Sequence, residues 1–319
     1  MHSHSQQPTE VAVPPGVEIV RDLVYGHGLI HCGRETGPVL RELKLDAYLP
    51  VAQPGEGTAL RPALILAFGG AFHRGSKEND AFEAEGGNTS IAQYCLRFAQ
   101  RGYVALAIDY RLVTEDPDPG TTAVVLSPDR IPTSRVDVVR RAMNLQPATP
   151  EMLWRGIEAA SDDMAAATRF VRRQASQWGV DPARIAIGGF SAGARTALNT
   201  AFGEKVPVAA VVALSGFMDE LDLRRHVEHA APGPAVLIVS AEKDLDYVAQ
   251  ATPALVNHLR SAGLHCEYAQ VPQAGHFYKA QATAVHDSDG VTTVEQAMAA
   301  FLHRALHPLV RSEPPCSTR

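Results

Sequence analysis

The stretch that decides the fold runs from Arg184 to Phe202 and reads RIAIGGFSAGARTALNTAF. Its first part, Arg184–Ile187, is short and apolar like a buried strand, and its last part, Ala192–Phe202, has the small and apolar residues of a packed helix. Between them, Gly189-Phe-Ser-Ala-Gly193 fits the pattern G-x-S-x-G, in which a serine stands on a sharp turn from strand into helix. The stretch therefore predicts a nucleophile elbow that exposes the Ser191 hydroxyl at the carboxyl end of a strand.

Strands and helices alternate on both sides of this stretch. Most of the predicted strands are continuous apolar runs, which indicates burial on both faces, as in a parallel sheet. The two N-terminal strands alternate apolar and polar residues instead, which indicates an antiparallel start. The pattern predicts an α/β fold with a mainly parallel, doubly wound sheet of eight strands and helices on both faces. The predicted strands are Val17–Tyr25, Glu42–Leu49, Pro62–Phe68, Tyr103–Ile108, Arg184–Ile187, Val208–Leu214, Ala235–Ser240 and His265–Val271. The predicted helices are Thr89–Gln100 with Asn88 as its N-cap, a long helix carrying the apolar stripe Ile157–Trp178 and ending at Gly179, Ala192–Phe202, Val248–Ala262 and Thr293–His307.

Two further side chains complete the chemistry that a serine nucleophile requires. A serine hydroxyl needs a base to remove its proton, and the base needs an acid to hold its tautomer. In open α/β sheets these groups lie in loops at the carboxyl ends of strands. Asp244 and His276 each follow a predicted strand, so the chain order is Ser191, Asp244, His276. The sequence predicts Ser191 as nucleophile, His276 as base and Asp244 as acid, with Asp246, two residues on, as the alternative acid.

The loop after the predicted strand Pro62–Phe68 is rich in glycine and small residues. It reads Phe68-Gly-Gly-Ala-Phe-His-Arg-Gly-Ser76, and glycine lets a backbone approach a substrate closely. An oxyanion needs two or more N–H donors, one of which follows the nucleophile at the start of its helix. We therefore expect the oxyanion hole to consist of the backbone N–H groups of Gly70, Ala71 and Ala192.

Composition excludes several classes of function. The 319 residues contain 29 Lys+Arg against 35 Asp+Glu, for a net charge of −6, and no run of basic residues suits a nucleic-acid partner. No apolar run approaches the roughly 20 residues that span a bilayer. Residues 1–16 lack a basic and then apolar secretory signal, so we expect a cytoplasmic protein. Cysteines at 32, 95, 266 and 316 form no C-x-x-C pair and are expected to be reduced.

Motifs for cofactors and metals give no positive prediction. The chain has no glycine-rich phosphate loop of the nucleotide or dinucleotide type. His226 and His229 stand three residues apart but lack the H-E-x-x-H pattern, so a surface position is expected for them rather than zinc binding. The predicted chemistry uses neither a cofactor nor a metal.

The chain is predicted to form one domain over residues 17–308, between a flexible lead-in at 1–16 and a tail at 309–319. The segment 113–155, after the fourth strand, is long for a connection and rich in proline, yet it carries apolar residues such as Val136, Val139 and Trp154. Long loops of this kind are usually functional. We expect an insertion that caps the carboxyl ends of the strands, the alternative being a solvent-facing excursion.

Taken together, these motifs resemble the α/β-hydrolases of the carboxylesterase and lipase type. The resemblance extends from about Val17 to His307 and implies a serine hydrolase with the roles given above. The family's H-G-G-G-F sequence is replaced here by Phe68-Gly-Gly-Ala-Phe72, and Ala194 stands where small esterases often carry glycine. The motifs that carry the resemblance are Leu43–Pro50, Gly69–Ser76, Asp109–Leu112, Gly179–Pro182 and Gly189–Gly193, with Asp244 and His276.

The predicted reaction is hydrolysis of a small carboxylic ester through an acyl-enzyme intermediate. Because fold and triad do not fix the leaving group, amidase, lactonase and acyltransferase activities remain alternatives. A non-catalytic small-molecule receptor on a hydrolase scaffold is the alternative from another class. Nothing in the sequence predicts an oligomeric state.

Overall fold

A computed structural model describes residues 15–51, 59–227 and 233–307. The predicted lead-in and tail therefore lie almost entirely outside the described residues. No helix in the described ranges is long and apolar enough to cross a membrane.

The described strands form one sheet in the spatial order β1-β2-β4-β3-β5-β6-β7-β8-β9-β10. The pairs from β4 through β3 and β5 to β8 are parallel, and those at both ends of the sheet are antiparallel. The predicted mainly parallel α/β sheet with an antiparallel start is thus confirmed. The strands are β1 Val17–Ile30, β2 Val39–Pro50, β3 Arg61–Ala67, β4 Val104–Ile108, β5 Val180–Phe190, β6 Ala210–Leu214, β7 Ala235–Lys243, β8 Cys266–Gly275, β9 Thr283–His286 and β10 Gly290–Thr293. The helices are α1 Ile91–Ala99, α2 Ser134–Ala142, α3 Pro150–Arg173, α4 Ala175–Trp178, α5 Ala192–Phe202, α6 Glu220–His226, α7 Asp246–Ser261 and α8 Val294–Leu306.

The direction in which successive strands are added to the sheet reverses at the neighbouring parallel strands β3 and β5. From β3 the chain crosses through α1 to β4 on one side, whereas from β5 it crosses through α5 to β6 on the other. Since parallel crossovers are right-handed, the two connecting helices lie on opposite faces. In open α/β sheets, a crevice forms beyond the carboxyl ends of the two strands between which the strand order reverses, and this crevice is where ligands bind. The loop Phe68–Ser76 and the turn at Ser191 both begin at this crevice.

The central strands are buried on both faces and form the core. Every residue of β4 and β6 is buried, and helix α5 is buried along its whole length. Helix α8 is tied to α1 and the turn after it by ion pairs of Glu295 with Arg97 and Arg101, 2.5 and 2.7 Å long, so the two helices share one face. The turn at Ser191 joins the buried end of β5 to the buried helix α5.

Two predictions about the elements need correction. Within the described residues the sheet has ten strands rather than eight, because β9 and β10 form a short antiparallel hairpin beside β8. Each has only four residues, too few for a periodic pattern to stand out. Helix α1 begins at Ile91 with Ser90 as N-cap, not Asn88, because the Asn88 side chain instead donates to the carbonyl of Asp80 at 2.8 Å.

The segment 113–155 is largely ordered. It contains two short 3-10 turns, the helix α2 and the first turn of α3. Its beginning is fixed to the loop after β3, since the Val113 N–H donates to the carbonyl of Phe72 at 2.8 Å. The segment therefore packs next to the crevice.

Candidate active site

Ser191 occupies a strained turn between β5 and α5. Its backbone has φ 54° and ψ −113°, a conformation that residues other than glycine rarely adopt. A Cβ atom on Gly189 would lie 2.4 Å from the Ala67 carbonyl oxygen, and one on Gly193 would lie 2.0 Å from the same atom. Only glycine fits on either side of the serine, because β3 passes directly behind the turn. The G-x-S-x-G pattern is thus explained by the approach of a neighbouring strand.

Gly193→Ala tests this packing. The added methyl group must displace the backbone of β3, so we expect a loss of about 1–3 kcal/mol or more in the free energy of unfolding. Chemical denaturation measures the loss. Gly26→Ala is the matched control, because its Cβ would meet its nearest atoms at an ordinary 3.8 Å. Equal stabilities of the two variants would contradict the packing argument.

The predicted base and nucleophile are in hydrogen-bond contact. His276 Nε2 lies 2.8 Å from Ser191 Oγ, and His276 Nδ1 lies 2.6 Å from Asp244 Oδ1. Asp244 follows β7 and His276 follows β8, so three loops at the carboxyl edge supply the three side chains. The structure brings these predicted residues together as a continuous chain of hydrogen bonds.

Asp244 is held by more than the histidine. Its Oδ2 accepts hydrogen bonds from Ser215 Oγ at 2.6 Å and the Ala241 N–H at 3.0 Å, and its Oδ1 accepts one from the Leu245 N–H at 2.8 Å. Burial alone raises the pKa of Asp244, but the contacts with His276, Ser215 and Ala241 outweigh burial and lower it. The alternative acid, Asp246, is exposed at the first residue of α7. Asp244, not Asp246, is the carboxylate at His276.

Sequence reasoning missed Ser215. This residue directly follows β6 and has φ 50°, and its hydroxyl lies 3.1 Å from Tyr278 Oη as well as contacting Asp244. Its place immediately after a buried strand was the available signal, since side chains at that edge face the crevice.

The loop after β3 runs beside Ser191 in an unusual conformation. Gly70, Ala71 and Phe72 have φ values of 117°, 56° and 60°. A Cβ atom on Gly69 would lie 3.4 Å from the Ser191 Cβ, which shows how closely the loop passes. Ala71 and Ala192 line the cleft with Ser191, whereas Gly70 is not among the lining residues.

Aromatic packing supports the same loop from below. The Phe68 ring stacks on Tyr110 with centroids 4.3 Å apart, and Tyr110 Oη donates to the Phe68 carbonyl at 2.9 Å. Phe68 is the residue that replaces the histidine of H-G-G-G-F. A buried aromatic pair therefore supports this part of the loop.

A cleft with an empty volume of about 500 Å³, counting its open mouth, lies over Ser191. Its walls include Phe217, after β6, Tyr247, on α7, and residues of the segment 113–155. The residues of that segment in the wall are Ile131, Pro132, Arg135, Val136 and Leu153.

The cleft contains a buried cation, Arg195, one helical turn beyond Ser191. Its guanidinium lies over the Phe217 ring at 4.9 Å, and its Nε has no hydrogen-bond partner within the described residues. No carboxylate in the described part of the chain pairs with it directly. Burial lowers the pKa of Arg195, while the more distant charges of Asp222 and Asp219 act in the opposite direction. An unpaired buried cation is costly, so this one is a candidate for ligand binding.

Two clusters in the described ranges have the composition of metal sites, but each already surrounds a side-chain cation. One contains Glu267, His286 and Asp289, and Arg304 pairs with both of its carboxylates at 2.6 and 2.9 Å. The other contains Asp22, Asp46 and Glu78, and Lys77 pairs with all three. Of the histidine pair considered above, His226 Nε2 contacts the Val124 carbonyl at 2.8 Å, and His229 lies outside the described residues.

Structural comparison gives neighbours that share the fold across most of the chain. The native esterase 2 of the planctomycete Thermogutta terrifontis has 20% sequence identity and a TM-score of 0.53, covering 93% of this chain and 95% of that one. The same esterase phosphonylated by cyclosarin has 19% identity and a TM-score of 0.54, covering 92% of this chain and 93% of that one. An alpha/beta hydrolase enzyme from a Medee basin deep-sea metagenome library has 17% identity and a TM-score of 0.50, covering 82% and 84%.

Sequence comparison identifies the family. A search of curated protein sequences found no match. The profile of the dienelactone hydrolase family matches residues 81–306, which include Ser191, Asp244 and His276 but not the loop after β3. The chain therefore belongs to the dienelactone hydrolase family and is a hydrolase with the α/β-hydrolase fold.

Proposed function

We propose that this protein is a serine hydrolase that cleaves carboxylic esters through an acyl-enzyme intermediate. The observation that carries the proposal is the chain of hydrogen bonds from Ser191 Oγ through His276 to Asp244, with distances of 2.8 and 2.6 Å. Such a chain activates a hydroxyl that would otherwise be a weak nucleophile.

In the first half-reaction His276 Nε2 takes the Ser191 proton while Oγ bonds to the ester carbonyl carbon. The carbonyl electron pair moves to oxygen, and the N–H groups of Ala71 and Ala192, with Gly70 as a further donor, stabilise the resulting oxyanion. The intermediate then expels the alkoxide, which leaves as an alcohol with the proton from His276. Asp244 stays ionised and stabilises the imidazolium in between.

In the second half-reaction a water molecule replaces the alcohol. His276 takes a proton from the water as its oxygen bonds to the acyl carbon. Collapse of the second tetrahedral intermediate breaks the bond to Ser191 Oγ, which recovers its proton from His276. The carboxylic acid then leaves the cleft.

Labelling with a fluorophosphonate, combined with hydrolysis of p-nitrophenyl acetate, butyrate and octanoate, tests the proposal. We expect one equivalent of label on Ser191, located by peptide mapping, and turnover of at least one ester. Esterase 2 of Thermogutta terrifontis is described as phosphonylated by cyclosarin, which supports this choice of reagent. A folded protein with neither label nor turnover would contradict the proposal and favour the receptor alternative.

A second candidate activity is the hydrolysis of esters or lactones that carry a carboxylate, and Arg195 favours it. Its guanidinium is buried in the cleft without a direct anionic partner among the described residues, and a substrate carboxylate would supply one. The family is named for the hydrolysis of a dienelactone, a cyclic ester, so a lactone fits the same chemistry.

Arg195→Met separates this candidate from neutral ester hydrolysis. A lost charge-assisted hydrogen bond costs about 1.5–3 kcal/mol. We therefore expect kcat/KM to fall about 10- to 100-fold for the mono-p-nitrophenyl esters of succinic and glutaric acid, and to change little for p-nitrophenyl butyrate. Arg225→Met, on an exposed side chain, is the matched control. Equal effects of Arg195→Met on charged and neutral esters would exclude a carboxylate-binding role.

A further inference from the structure

The loop after β3, which carries the proposed oxyanion donors Gly70 and Ala71, contains more backbone strain than its glycines explain. Ala71 and Phe72 both have positive φ although each carries a Cβ atom, and they directly follow Gly70, whose φ is also positive. Residues in such conformations persist only where their surroundings hold them. The contacts of this short run therefore show what keeps the Ala71 N–H in position.

His73 binds two successive peptide groups of this run. Its backbone N–H donates to the Gly70 carbonyl at 3.0 Å. That carbonyl belongs to the same peptide plane as the Ala71 N–H, so in a trans peptide the N–H points away from His73. The side chain contacts the next peptide, with Nδ1 2.7 Å from the Ala71 carbonyl oxygen. The His73 backbone N–H thus holds the peptide that carries the Ala71 N–H, and the His73 ring holds the peptide on the other side of Ala71, so the backbone at Ala71 is fixed from both sides.

The contacts of the ring define its protonation state. The Ala71 carbonyl can only accept, so Nδ1 carries the proton. The other nitrogen, Nε2, lies 3.0 Å from Arg140 Nη1, which can only donate, so Nε2 is unprotonated. Both side chains are buried, with exposed fractions of 1% for His73 and 5% for Arg140. The imidazole is neutral, with both nitrogens satisfied.

Burial and the charge of Arg140 also favour the neutral form of the His73 ring. Burial lowers the pKa of His73, and the charge of Arg140 lowers it further, while the bond to Ala71 opposes them. In the part of the chain that the structure describes, Arg140 is the charged group that acts on this ring. A second proton on Nε2 would face the guanidinium in a dry environment.

Arg140 belongs to α2, in the segment 113–155. A second set of contacts also joins α2 to the loop after β3. The Glu85 carboxylate accepts hydrogen bonds from Arg74, in that loop, and from Arg135, on α2. The segment is thus attached to the loop as well as to the cleft wall.

We propose that His73 is a positioning residue of the oxyanion hole and that Arg140 holds it in the neutral tautomer with the proton on Nδ1, which makes helix α2 part of the catalytic apparatus. The inference rests on the proposed function, since the Ala71 N–H orientation matters only where an oxyanion forms. The segment 113–155 then acts on catalysis as well as on access to the cleft.

Variants at position 73 test the positioning role. Complete loss of an oxyanion donor costs about 10²–10³ in kcat, so we expect His73→Phe to lose about 10- to 100-fold in kcat with KM nearly unchanged. His73→Asn, whose amide nitrogen can replace Nδ1 as a donor, should recover much of that loss. The rate of fluorophosphonate labelling should fall in parallel with kcat/KM, because the phosphonyl oxygen occupies the same hole. A His73→Phe variant that keeps kcat within about twofold of the wild type would overturn the proposal.

Variants on α2 test the role of Arg140. Arg140→Met leaves Nε2 without its donor and is expected to lower kcat by about 10-fold, consistent with loss of a charged hydrogen bond, while Arg140→Lys restores part of the activity. Arg141→Met, on the exposed neighbour, is the matched control. If Arg140→Met and Arg141→Met have the same kcat, the proposal fails.

Nitrogen NMR of ¹⁵N-histidine-labelled wild type tests the tautomer without any substitution, with the His73 signals assigned by their loss in His73→Asn. We expect a protonated Nδ1 and an unprotonated Nε2 at neutral pH, and a ring in Arg140→Met that takes up a proton at a higher pH than in the wild type, because one of the causes that lower the pKa of His73 is then removed. The opposite tautomer, or a doubly protonated ring at about pH 6 in the wild type, would exclude the proposed arrangement. This measurement is independent of activity, whereas failure of the proposed function would appear as absent labelling and turnover in the wild type.

Discussion

Ser191→Ala is expected to lower kcat for p-nitrophenyl esters by at least about 10⁴-fold, leaving only the contribution of the oxyanion hole and substrate binding. The reason is geometric: the Ser191 hydroxyl is the one that His276 Nε2 contacts, at 2.8 Å, and alanine leaves the histidine without a proton to remove. Initial-rate kinetics at saturating ester give the loss directly. Covalent labelling by the fluorophosphonate should disappear together with the activity.

Ser176→Ala is the control for this variant, because Ser176 is exposed on α4, which precedes β5, whereas Ser191 follows the carboxyl end of that strand. It should label and turn over like the wild type. A Ser191→Ala protein that is folded and keeps more than about a tenth of the activity would exclude Ser191 as the nucleophile. Label on a different serine would do the same.

Asp244→Asn is expected to lower kcat by about 10⁴-fold while leaving the fold intact. The amide keeps the shape of the carboxylate, but it can present an N–H to His276 Nδ1 and so favour the tautomer in which Nε2 cannot accept the serine proton. It also removes the negative charge that stabilises the imidazolium. The loss should appear in kcat at neutral pH and become smaller at high pH, where hydroxide can replace the base.

Asp246→Asn is the matched control, since it makes the same change two residues away on an exposed side chain. We expect its kcat to stay within about twofold of the wild type, as for surface substitutions in general. If Asp246→Asn shows the large loss instead, the loop after β7 rearranges when substrate binds, and the acid assignment is wrong.

The strand–turn–helix around Ser191 was predictable from sequence because the restrictions that β3 imposes all fall on one five-residue stretch. Gly189 and Gly193 must be glycine where β3 passes behind the turn, so a five-residue pattern contains the geometry. Helix α5 followed with the predicted bounds, Ala192 to Phe202. Constraints that fall on neighbouring residues produce a recognisable pattern even when the contacting strand is distant in sequence.

The choice between Asp244 and Asp246 could not be made in the same way. Both residues are acidic, and both stand near the end of β7. The decision depends on Ser215, Ala241 and Leu245, whose donors converge on Asp244 only in the folded chain. Contacts between loops that are distant in sequence produce no residue spacing from which the acid could be predicted.

The role of α2 was hidden for a related reason. Its sequence, from Ser134 to Ala142, is rich in arginine and looks like a solvent-facing helix. Arg140 is buried nonetheless, because the aligned Nε2 of His73 gives its guanidinium an acceptor. A charged residue in a proline-rich segment gives no sign of such a partner.

The hairpin formed by β9 and β10 lies at the edge of the sheet, so β8 is not the edge strand. An edge strand frays first, since half of its backbone groups bond only to water. Without the hairpin, β8 would be that strand, and His276 follows it directly. With β9 paired along Ala269 and Gln270, thermal opening of this side starts in a peripheral ribbon, and these two residues of the strand that leads to His276 have partners on both flanks.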